Sequence, residues 1–66
     1  MYKFEVWFDG QCIRASAEAD TYYDTKEDAE EEGNAEVISI MEDWEVEGCY
    51  EGETVNDFEV RVLEGR

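Results

Sequence analysis

The sequence predicts an α+β fold: a three-stranded antiparallel sheet in the order 2-1-3, with one long or broken helix packed on one face. Three observations carry this ββαβ reading. Two segments, Tyr2–Phe8 and Phe58–Leu63, alternate apolar and polar residues. Asp9-Gly10 follows the first of them and is a strong signal for a tight hairpin. Between the segments, Ala29, Gly33, Val37, Ile40, Met41 and Trp44 recur at spacings of three and four, the period of a helix with one buried stripe.

In the first strand, Tyr2, Phe4, Val6 and Phe8 share one face, and Lys3, Glu5 and Trp7 share the other. A two-residue turn at Asp9-Gly10 would set Phe8 opposite Gln11, Trp7 opposite Cys12, Val6 opposite Ile13, Glu5 opposite Arg14 and Phe4 opposite Ala15. Ile13, Ala15 and Ala17 would then face inward. Glu18–Tyr23 reads as a connection. Asp24 or Thr25 is a good helix N-cap, with Glu27 and Asp28 three residues on, as in a capping box.

The helix is expected over about residues 25–46. Gly33-Asn34 is its weak point, costing about 1 kcal/mol against alanine, and could split it. Ile38 lies off the stripe. Residues 47–57 hold Gly48 and Gly52 and read as a loop or short hairpin arm. In the last strand Phe58, Val60 and Val62 face inward. A register with Glu5 opposite Arg61 sets Phe4 against Val62, Val6 against Val60 and Phe8 against Phe58. Arg14 and Arg61 would then flank Glu5 from both sides.

Sixty-six residues make a single domain, near the lower limit for folding without staples. The composition is 42% hydrophobic and 14% aromatic, which argues against disorder despite the charge. No apolar run is long enough to span a bilayer. The N-terminus has no basic region followed by an apolar stretch, so a cytoplasmic protein is expected. In a cytosol, Cys12 and Cys49 are expected as free thiols.

Charge is the strongest functional signal. The chain has 20 Asp and Glu against 5 Lys and Arg, with no His, for a net charge of −15. Between Lys26 and Arg61 lie fourteen carboxylates and no basic residue. Self-repulsion on this scale destabilises a small fold, which suggests that the charge has a use. Nucleic acid and anionic membranes would repel such a chain, so basic proteins are the expected partners. Carboxylates one helical turn apart are about 6 Å from each other, close enough to the spacing of phosphates along a strand to occupy their binding sites. The expected partner-binding residues are Asp28, Glu31, Glu32, Glu42, Asp43 and Glu45, with Glu47, Glu51 and Glu53 extending the surface. The plain alternative is a solvated acidic face that keeps the protein soluble.

Other chemistries have weaker support. The best calcium-loop alignment places Asp28, Glu30, Glu32 and Gly33 at positions 1, 3, 5 and 6, but puts Ser39 where a bidentate Glu is needed. Zinc is disfavoured by the lack of His and by two cysteines far apart. There is no nucleophile–base motif, phosphate-binding glycine loop or cofactor fingerprint, so neither enzyme activity nor a cofactor is expected. Trp7, Tyr22 and Tyr23 read equally as mutual cover or as interface anchors.

In size, charge and expected ββαβ layout, the whole chain resembles the small acidic inhibitors of bacteriophages and mobile elements. More narrowly, it resembles anti-CRISPR proteins that mimic DNA. That class is diverse in sequence, and the resemblance rests on no residue motif. It implies a non-enzymatic inhibitor, monomeric or weakly dimeric, that blocks the DNA-binding surface of a type I CRISPR surveillance complex. Inhibitors of uracil-DNA glycosylase and of restriction enzymes share the same physics. Two further readings are a small acidic accessory domain that binds through Trp7, Tyr22 and Tyr23, and a weak divalent-cation binder.

Overall fold

A computed structural model describes residues 1–65. Strands β1 (Tyr2–Phe8), β2 (Gln11–Ala15) and β3 (Phe58–Glu64) form one antiparallel sheet in the order β2-β1-β3. Helix α1 (Lys26–Glu47) crosses one face. It runs alongside β1 in the same direction: Lys26 lies over the Tyr2 ring, Gly33 lies against Phe4, and Trp44 packs on Phe8. The fold class and strand order are those the sequence predicts.

The β1–β3 register is also as expected, with Phe4 opposite Val62, Glu5 opposite Arg61, Val6 opposite Val60 and Phe8 opposite Phe58. The β1–β2 register is not. Phe8 pairs with Gln11 and Trp7 with Cys12, but Val6 then pairs with Arg14 and Glu5 with Ala15. Ile13 is the extra residue of a β-bulge. A bulge sets two residues of one strand against one of the other, so Ile13 and Arg14 both answer Val6. Ile13 still packs against the core. Arg14, expected beside Glu5 on the open face, instead forms an ion pair with Glu36 of α1.

Arg61 departs from expectation in a different way. It lies opposite Glu5, yet its guanidinium pairs with Glu59 at 2.9 Å and covers the Trp7 ring, 4.0 Å from the centroid. Glu5 instead accepts a hydrogen bond from the Trp7 indole N–H at 3.0 Å. The two arginines therefore do not neutralise Glu5.

The helix is continuous through Gly33-Asn34. Thr25 caps its start, with Oγ1 accepting the Asp28 N–H at 3.1 Å. Gly48 ends it in the left-handed region at φ 78°, and the Cys49 N–H returns to the Trp44 carbonyl at 2.8 Å. Gly33 is needed for packing. A Cβ placed there would sit 2.5 Å from Val60 Cγ1 and 3.3 Å from the Phe4 ring. The missing side chain lets the helix lie close on the sheet, and this contact outweighs the weak helix propensity.

The core is small: Phe4, Val6, Val37, Ile40 and Phe58, with Ala29 of α1 also buried. Val6 and Ile40 are its largest fully buried side chains. Full burial contributes roughly 1.5–3 kcal/mol for each. Phe8, Trp44 and Phe58 close one end, with ring centroids 4.9–5.5 Å apart and tilted or edge-on geometry.

Candidate acidic interface

Helix geometry sorts the carboxylates. The buried stripe fixes α1 against the sheet, so Glu27, Asp28, Glu30, Glu31 and Glu32 are left exposed along its first half. Glu42, Asp43, Glu45 and Glu47 are exposed along its last turns. Glu36 lies between them, half-buried and paired with Arg14. From Glu32 to Glu42 the axis advances about 15 Å. The acidic face is therefore two groups separated by a less charged waist of Asn34, Ala35, Ile38 and Ser39. The sequence suggested a run; the ion pair at Glu36 and the apolar stretch Val37–Met41 divide it.

The second group continues beyond the helix. The loop after Gly48 folds back through a short 3₁₀ turn at Val55–Asp57. Its local hydrogen bonds orient two acids. Glu53 Oε2 accepts the Glu51 N–H at 2.9 Å, and Asp57 Oδ2 accepts the Thr54 N–H at 2.8 Å. Glu53 is thus half-buried and partly occupied, whereas Asp28, Glu31, Glu32, Glu42, Asp43, Glu45, Glu47 and Glu51 are exposed.

The structure adds two residues that sequence reasoning omitted. Asp9, at the hairpin tip, and Asp57 join Glu51 and Glu53 around a shallow cleft of about 440 Å³ beside Phe8. The signal was present in the order of the elements. The tip of a β1–β2 hairpin must lie at the end of the sheet where β3 begins.

Charge compensation is unequal. Lys3 and Lys26 lie toward the end where α1 begins. Arg14 and Arg61 are held by Glu36 and Glu59. At the end of the molecule bearing Asp9 and the 51–57 loop, Arg61 lines a shallow cleft with Asp9, Asn56 and Asp57, and its charge is met there by Glu59. The C-terminus of α1 adds the partial negative charge of the helix dipole there.

Trp7, Tyr22 and Tyr23 each make contacts within the fold and stay partly exposed. Trp7 is half-buried under Arg61. Tyr23 packs on Phe4, with centroids 6.0 Å apart, and its backbone bridges Tyr2. Tyr22 lies against Gly65, where an added Cβ would be 2.6 Å from its ring. These rings cover their neighbours within the fold. Cys12 and Cys49 are exposed free thiols. Among the described residues, no three His, Cys, Asp or Glu side chains converge as a metal-holding group. No helix among them is long and apolar enough to cross a membrane.

No protein-family model matches the chain, and neither a curated protein nor a solved structure was found to resemble it.

Proposed function

We propose that this protein is a non-enzymatic inhibitor whose carboxylates take the place of nucleic-acid phosphates on the basic surface of a DNA-binding protein. The observation that carries this reading is charge per unit length. The molecule measures 36 × 19 × 18 Å. A net charge of −15 along 36 Å is roughly one charge per 2.4 Å, against one per roughly 1.7 Å of duplex axis and 3.4 Å for one strand. The line charge thus falls between those of single-stranded and double-stranded DNA. The target proposed is the DNA-binding groove of a bacterial defence complex, a type I CRISPR surveillance complex first, with a restriction enzyme or uracil-DNA glycosylase as the alternative.

The test is capture of partners from bacterial lysate at low salt, followed by elution with duplex DNA. A mimic releases its partner to competing DNA and to rising salt, and the eluate identifies the target. The paired substitution Glu31→Lys with Glu42→Lys removes two charges from separate groups and reverses them. It should weaken binding at least tenfold at low salt, with little change at high salt. Undiminished binding by this variant, with loss of binding in Trp7→Ala, would transfer the interface to the open sheet face and end the mimicry reading.

A further inference from the structure

We propose that the groove between α1 and the outer edge of β3 receives an extended basic segment of the partner, which adds a fourth strand to the sheet. This rests on the reading that the partner is a basic protein, and it names the part of that partner that docks.

Three features meet at this groove. The first is an available strand edge. β3 is seven residues long and lies at the edge of the sheet, with no strand beyond it among the described residues. The other edge strand, β2, is five residues long and bulged at Ile13, a distortion that blunts strand addition. The second is an apolar floor. A groove of about 270 Å³ is lined by Asn34, Val37, Ile38, Val55, Phe58 and Val60. Ile38 and Val55 are 50% and 53% exposed, although they are aliphatic. The third is the charge around it. Ile38 lies at the waist of α1, between Glu27, Glu30 and Glu31 on one side and Glu42 and Glu45 on the other.

These features specify the occupant. An added strand points alternate side chains to the helix side, about 6.6–6.8 Å apart. A segment reading basic-x-apolar-x-basic would set its apolar side chain over Val60 and Ile38. Its two basic side chains would reach toward the acidic groups on either side. Main-chain hydrogen bonds to β3 supply affinity, and the alternate side chains supply selectivity. A second copy of this chain would bring −15 against −15 and is disfavoured by repulsion.

The experiment uses two synthetic peptides of equal charge, acetyl-Thr-Lys-Thr-Leu-Thr-Arg-Thr-amide and the same peptide with Ser for Leu. Binding to the full chain is followed by amide chemical shifts in ¹⁵N-labelled protein. The Leu peptide should bind about tenfold more tightly, as partial burial of a leucine side chain implies. Its shifts should centre on Asn34, Ile38, Val55 and β3. Ile38→Ser, at an exposed position, should close the gap between the peptides, while Glu31→Gln should weaken both alike. N-methylation of alternate peptide residues should abolish binding in one phase and spare it in the other. Equal binding of the two peptides, or equal effects of both methylation phases, would overturn the added strand while leaving the charge-based reading intact. Failure of both peptides to bind at low salt would count against both. Dimerisation of the protein alone that Ile38→Ser weakens would assign the groove to a second copy.

Discussion

Ser16 supplies a hydrogen bond that a sheet normally obtains from a neighbouring backbone. Its buried Oγ accepts the Phe4 N–H at 3.0 Å, just where β2 has ended at Ala15. Removing it leaves a buried donor without an acceptor, at a cost of about 1–3 kcal/mol. Ser16→Ala should lose that much stability in urea unfolding, and a loss within measurement error would mean water replaces the hydroxyl. Tyr23 offers a second test. Burial holds its phenol above the ordinary value, and Glu32 and Glu36 push in the same direction. Because the folded-state pKa is raised, this contribution to stability is complete below the unfolded tyrosine pKa of about 10. It is lost as pH rises through the folded value. A spectrophotometric tyrosinate titration should show one late-ionising tyrosine that disappears in Tyr23→Phe. Identical titration curves would contradict the assignment.

At the scale of elements, Gly33 sets two effects against each other. Alanine gains about 1 kcal/mol of helix propensity. It also forces a Cβ into Val60, and overpacking costs typically 1–3 kcal/mol. The β-branched Val60 has few rotamers in which to yield, so packing should win. Gly33→Ala is expected to lower stability by about 1 kcal/mol, and calorimetry showing a rise in Tm would reverse that ranking.

The same residue marks the limit of what could be read from sequence. Periodicity alone gave the strands, their order and the helical stripe, because each depends on neighbours a few residues away. Whether Gly33 breaks the helix or seats it depends on Val60, far along the chain. The bulge at Ile13 was equally hidden: Asp9-Gly10 defines the hairpin register near the turn, but nothing local announces an inserted residue beyond Cys12. The exposure of the seven proposed interface acids on α1 was legible, since the stripe dictates which residues face out. The grouping of the acids, and the addition of Asp9 and Asp57, required the folded chain.

For the whole molecule, charge dominates. Raising salt from about 10 mM to 150 mM shortens the Debye length from roughly 30 Å to 8 Å. Like charges along the exposed faces then repel less. A relief of about 1 kcal/mol corresponds to roughly 4–8 °C in a domain of this size. Tm is therefore expected to rise by several degrees over that range in sodium chloride. A flat or falling Tm would show that local pairing already balances the charge. Partner binding should respond in the opposite sense and weaken as salt rises.

The uneven placement of the lysines has a consequence for encounter. Lys3 and Lys26 dilute the charge toward one end of a 36 Å body, while at the opposite end Arg61 is already paired with Glu59 beside Asp9 and Asp57. In the field of a basic groove, such a body experiences a torque as well as an attraction. Such a torque would favour approach by the aromatic-clamped end, so that fewer collisions with a basic partner would arrive in a wasted orientation.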